Sequence, residues 1–137
     1  MTSSVTYLGD LRTLCTHVAS NKSIITDAPI DNHGKGEAFS PTDTVATALA
    51  SCLLTIMGIK AKQLNIDIKE TLANVKKIMG NNPRKIDCIK IDVYFKKNFD
   101  KKIKKILEKT ALTCPVYYSL NPTLNKDIQF FWPSEKS

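Results

Sequence analysis

Arginine is nearly missing from this sequence: of 20 basic residues, only Arg12 and Arg84 are not lysine. Specific recognition of phosphates and base edges recruits the flat guanidinium fork, whereas lysines make a hydrated, salt-screened face. The formal charge of +7, from 20 basic against 13 acidic residues, therefore predicts a soluble surface and no specific nucleic-acid partner. Close cysteine pairs are lacking too. Cys15, Cys52, Cys88 and Cys114 form no CxxC, which argues against a zinc knuckle or a disulfide framework and for thiols in a reducing compartment. His17 and His33 stand at no helical spacing from a second ligand type, and Cys15 with His17 falls short of a closed zinc site, so no metal is expected. The one extended apolar run, residues 44–59, is interrupted by Thr44, Thr47, Ser51 and Thr55, and no membrane span is expected. The first residues carry Asp10, Arg12 and His17 without a continuous apolar stretch, unlike a signal peptide, so the expected location is the cytoplasm.

What is present suffices for one modest core: 137 residues with 42% hydrophobic content. Val5 to Leu8, Arg12 to Val18 and Ser23 to Thr26 are short β-prone runs broken by turn residues, which predicts a small antiparallel sheet. Residues 27–39, with Pro29, Asp31, Asn32, Gly34 and Gly36, read as a loop. Ser40-Pro41-Thr42-Asp43 is a helix start, with a serine cap, proline in the first helical position and an acid three residues after the cap. Helical spacing continues through Val45, Leu49, Cys52, Leu53, Ile56, Met57 and Ile59 to a polar end near Leu64-Asn65. Apolar or small residues lie on every side of it between Val45 and Met57, so it is expected to be sheathed by other structure.

Ile68 to Met79 and Lys85 to Phe95 are β-prone and divided by Gly80-Asn81-Asn82-Pro83, which predicts a hairpin. Asp100 to Leu112 returns to helical spacing, with Ile103, Ile106 and Leu107 opposite lysines that read as an ordinary solvated face. Cys114-Pro115 stops that helix and opens a short one through Leu120, and Asp127 to Trp132 forms a last strand. No repeat, linker or low-complexity tract divides residues 1–137, so the chain reads as a single α+β domain.

Among the thiols, Cys15 and Cys88 lie in strands and read as small apolar residues, and Cys52 taken alone is a core thiol of the long helix. Cys114 differs, because it precedes a proline at a helix start, where free N–H groups and the helix dipole stabilise a thiolate.

Residues 40–52, SPTDTVATALASC, followed later by Thr113-Cys114-Pro115-Val116-Tyr117-Tyr118-Ser119-Leu120, resemble the OsmC/Ohr family in both motifs and in the order of elements across nearly the whole chain. The resemblance implies antiparallel sheets around a long central helix, assembled as an intertwined homodimer. It also implies a thiol-dependent peroxidase acting on organic hydroperoxides, with Cys52 as nucleophile and Cys114 as its resolving partner. No cofactor is implied; the reductant is a dithiol, in relatives often a protein-bound lipoyl group. Arg12 stands about where the Ohr branch places its catalytic arginine. The better-known branches have a glutamate right after the helix-start proline to orient that arginine. Here Thr42 occupies the position, and Asp43 and Glu37 are the candidate supporting acids. Burial of Cys52 in an apolar helix would raise its pKa, so a cation such as Arg12 is needed beside the thiolate. A competing reading is a non-catalytic dimer of the same fold that binds an apolar or acidic small molecule in an interfacial pocket.

Overall fold

The computed structural model describes residues 1–134, which fall into two compact units, Met1–Val45 and a second one from Ala46 onward. In the first unit, strands β1 (Ser3–Gly9), β2 (Arg12–His17) and β3 (Ser23–Asp27) form an antiparallel sheet in that order. Asp10 and Leu11, at φ 52° and 62°, provide the two positive dihedrals that let a two-residue turn follow the right-handed twist of β1 and β2. Register places Val5, Cys15 and Ile24 in one row, and Thr6, Leu14 and Ile25 in a row on the opposite face. Apolar side chains therefore lie on both faces. The buried residues of this unit, Thr26, Asp27 and Ser40, are all polar, while Val5, Tyr7 and Ile24 stay more than half exposed. After β3 the loop contains a single 3-10 turn, Ile30–Asn32; a Cβ at Gly34 would overlap the carbonyl of Ala28.

Helix α1 spans Pro41–Gln63. Its start is reciprocally capped: Asp43 N–H donates to Ser40 Oγ and Ser40 N–H donates to Asp43 Oδ2, both at 3.0 Å. Its end is a Schellman turn. Ile66 N–H reaches Ala61 O and Asn65 N–H reaches Lys62 O, with Asn65 in the left-handed region at φ 56°. By length and composition α1 is apolar enough to cross a membrane, but Leu49, Leu53, Met57 and Ala61 form a stripe that packs into a protein core. The expectation of a helix covered on all sides needs correction. Val45 is 38% and Ile59 51% exposed, because one chain covers only the stripe that its own sheet and helices reach.

The second unit is built on that stripe. Strands β4 (Leu72–Gly80) and β5 (Lys85–Tyr94) form the expected hairpin, and alternation along β5 turns Ile89, Ile91 and Val93 inward to full burial. β4 starts four residues later than the pattern from Ile68 suggests. Asp67 to Thr71 make a turn instead, with Lys69 N–H on Asp67 Oδ1 and Glu70 at φ 70°. α2 (Lys101–Ala111) starts at Asp100, whose carboxylate accepts from Ile103 N–H at 2.8 Å, and it buries Leu107 and Ala111. α3 (Pro115–Ser119) follows, then β6 (Asn125–Phe131).

β6 pairs with β5 in parallel, which corrects the expectation of purely antiparallel sheets. Two helices separate the strands, and such a crossover returns the chain to run beside β5 in the same direction. Phe95 and Trp132, stacked with ring centroids 3.6 Å apart, close the end of this pairing.

Candidate redox site

In the second unit α1 presents Cys52 half-buried, directly before the fully buried Leu53. Cys114 is wholly buried in the core and serves as the N-cap of α3, its Sγ accepting the Tyr117 N–H at 3.2 Å. The two thiols stand in near-contact, close enough for Cys52 to act on Cys114. Burial pushes the Cys114 thiol above the ordinary cysteine value. The proximity of Cys52 pushes in the same direction, and the Tyr117 N–H pulls the other way without prevailing.

This reverses one expectation. The helix start at Cys114 does supply its N–H, but desolvation outweighs it, and Cys114 keeps its proton near neutral pH. Of the pair, Cys114 is the buried sulfur and Cys52 the more accessible one. Cys15 and Cys88 remain in their strands, with Cys15 opposite Val5 and Ile24, and Cys88 opposite Ile78 and Asn125.

In the first unit Arg12 is held by Asp27. Its Nε lies 2.7 Å from Oδ1 and its Nη2 2.9 Å from Oδ2, a two-pronged ion pair. Glu37 joins from one side, its Oε1 3.5 Å from Nη2, and its backbone N–H donates to Asp27 Oδ2 at 3.1 Å. The carboxylate that fixes the guanidinium is therefore Asp27, only 2% exposed. Glu37 is an exposed second partner, and Asp43 is engaged with Ser40 in the cap of α1. Thr42, at the position of the family's glutamate, has its hydroxyl 3.2 Å from that of Ser40.

Asp27 escaped the sequence reading, although a signal was present. Counting outward from the turn between β2 and β3 sets Arg12 directly opposite Asp27.

The hydrogen bonds from Arg12 hold the Asp27 carboxyl below its ordinary value of 3.8. A carboxyl whose pKa is lower folded than unfolded contributes fully above the unfolded value and loses that contribution as pH falls through the folded one. Urea midpoints measured between pH 7 and pH 3 should therefore fall more steeply for the wild type than for Asp27→Asn, with the extra loss confined to pH values below the ordinary carboxylate range.

An α+β chain that sets a half-buried thiol on a core helix against a buried one at a helix start defines a class of protein, and comparison with known proteins identifies it. The chain belongs to the OsmC-like protein family, whose model matches residues 34–128. A solved protein from Psychrobacter arcticus, provisionally described as an osmotic stress induced and detoxification response protein, is 53% identical over 96% of both chains, with a TM-score of 0.93. The same fold occurs in an organic hydroperoxide resistance protein from Elizabethkingia anophelis (14% identity, 97% of both chains, TM-score 0.76). It occurs again in one from Legionella pneumophila (14% identity, 98% of both chains, TM-score 0.72). None of the curated proteins matches in sequence.

Proposed function

We propose that this chain is a thiol-dependent peroxidase that reduces organic hydroperoxides. The observation that carries the reading is the near-contact of an accessible Cys52 with a buried Cys114. The Cys52 thiolate attacks the outer peroxide oxygen; the O–O bond breaks, the alkoxide leaves and takes a proton as alcohol, and sulfur 52 becomes a sulfenic acid. The Cys114 sulfur then displaces hydroxide from that sulfenic acid, its own proton leaves with the hydroxide as water, and a disulfide forms. A dithiol, free or carried as a dihydrolipoyl group on a protein, returns two electrons and two protons and leaves as its own disulfide. Arg12 takes the role the family resemblance assigns it, as the cation that polarises the peroxide. Its fixed attachment to Asp27 supports that role by holding the guanidinium in one orientation.

The working form is a cytoplasmic homodimer, and residues 1–137 act as one domain. The dimer is supported by the apolar residues that a single chain leaves in the open, Val5, Tyr7 and Ile24 on the first sheet and Ile59 on α1. Sedimentation at micromolar concentration should give twice the chain mass of 15.3 kDa.

Chemical mapping tests the redox pair. After one equivalent of cumene hydroperoxide, peptide mass spectrometry should find residues 52 and 114 joined by a disulfide; both thiols free would remove Cys114 from the mechanism.

A second reading rests on a specific feature of the first unit. An open hollow of about 770 Å³ is lined by Leu14, Ile25, Ala38 and Phe39, with Glu37 and Asp43 at its wall. Under this reading the protein binds a small molecule without turnover, and the two carboxylates favour a neutral or cationic apolar ligand over an acidic one. A ligand retained in native mass spectra, together with a peroxidase rate at background, would favour it.

A further inference from the structure

Helix α3 has five residues, fewer than the ~12–15 a helix needs to hold itself in water, so its first turn depends on what surrounds it. That turn carries the Tyr117 N–H that Cys114 Sγ accepts at 3.2 Å. The surrounding support converges on one lysine. Lys126 stands on β6 opposite the fully buried Ile89 of β5, which turns its side chain to the helix side of the sheet. Its ammonium lies 5.0 Å from the centroid of the Tyr117 ring and donates to the carbonyls of Asn121 and Leu124, at 3.3 Å and 3.2 Å. Those carbonyls belong to the turn that joins α3 to β6, which Leu124 N–H closes on Asn121 O at 2.9 Å.

An ammonium has three N–H donors. Two carbonyls and a ring face account for them, and among the described residues Lys126 has no carboxylate within ion-pair distance. A lysine that keeps its head in water fixes nothing. This one is half-buried, and by binding an aromatic face and two carbonyls it ties together the middle of α3, the turn after it and β6. The contacts then run without a gap from Lys126 to the Tyr117 ring, through the Tyr117 backbone to Cys114 Sγ, and from there to Cys52.

We propose that Lys126 is a positioning residue for closure of the Cys52–Cys114 disulfide: by seating Tyr117 it keeps the Tyr117 N–H on Cys114 Sγ, which fixes that sulfur in place and favours negative charge on it as it attacks. Lys126 acts through Tyr117 and not on the sulfur directly. The inference rests on the peroxidase reading and concerns its second step alone. In that step the S–S bond forms, the S–O bond of the Cys52 sulfenic acid breaks, and the Cys114 proton leaves with the hydroxide as water.

A single turnover with one equivalent of cumene hydroperoxide separates the two steps. Alcohol release reads the attack by Cys52, and capture by dimedone reads the lifetime of the sulfenic acid before closure. Lys126→Met keeps the stem and removes the ammonium, with Lys126→Gln in its place should that variant fold poorly. Closure should slow by roughly tenfold, the worth of one hydrogen bond to a charged atom, and dimedone capture should rise with it. Alcohol release, which needs Cys52 alone, should keep its wild-type rate. Lys126→Arg, which retains a cation over the ring, should bring closure back near the wild-type rate. Tyr117→Leu should slow closure as Lys126→Met does, and combining the two should add little, because both break the same contact. Wild-type closure in the variant lacking the ammonium would overturn the inference and leave the peroxidase reading standing. Equal slowing of both steps, no recovery in Lys126→Arg, or fully additive effects at 117 and 126 would overturn it too, since each would mark a general loosening of the fold. Failure of the wild type to release alcohol would instead defeat the peroxidase reading itself.

Discussion

Cys52→Ser is expected to lower kcat/KM for cumene hydroperoxide with dithiothreitol by at least about a hundredfold, which corresponds to about 2.7 kcal/mol of lost transition-state stabilisation. Serine nearly matches cysteine in size and sits at a half-buried position of α1, so the fold should survive the change. What is removed is an ionisable sulfur that is both nucleophilic and able to hold an oxygen as sulfenic acid. Cys114→Ser should behave differently. The first turnover would still release alcohol, and the sulfenic acid would await direct reduction by the small dithiol, so a burst followed by slow turnover is expected in place of complete loss. Cys88→Ser, on β5 opposite Ile78 and Asn125, serves as the control with unchanged rates. Wild-type rates in Cys52→Ser would end the peroxidase reading whatever the other variants do.

The second large effect concerns stability. Leu53→Ala should cost about 2–5 kcal/mol, read as a lower urea midpoint at unchanged slope. Leu53 has no exposed surface and belongs to the cluster that joins α1 to Ile89, Ile91 and Val93 of β5 and to Leu107 of α2. Truncation there removes apolar contacts and leaves a cavity that three elements border, none of which can close it alone. Ser51→Ala, two residues before Leu53 on the exposed side of the same helix, should change stability by no more than about 0.5 kcal/mol. A comparable loss in both variants would mean that α1 is held by its backbone and not by its buried stripe.

Much of the site was legible wherever chemistry and local spacing coincide. The Ser40-Pro41-Thr42-Asp43 start could be read because a capping box is closed by residues three apart, and the structure closes it with the expected atoms. The Cys114-Pro115 start could be read for the same reason, and Cys114 does cap α3. Its protonation could not, because the N–H is supplied locally while desolvation is supplied by the whole core around it. Arg12 was legible as an arginine in the first hairpin, and of the two acids sought for it, Asp43 and Glu37, the structure brings Glu37 to it at 3.5 Å, but the carboxylate that grips it twice was not foreseen. The β2–β3 register delivered Asp27, since cross-strand neighbours are set by counting from a turn and not by nearness to a motif.

The sequence by itself determined the order and type of the elements, the two cysteine motifs and the family they resemble, because turns, caps and hydrophobic periods act over a few residues. Only the tertiary structure decided that Cys114 is the buried sulfur, that Asp27 holds Arg12, that β6 runs parallel to β5 and that Ile59 of α1 stays uncovered in a single chain. Each of these depends on which distant segments exclude water from a given atom, and local pattern carries no record of that.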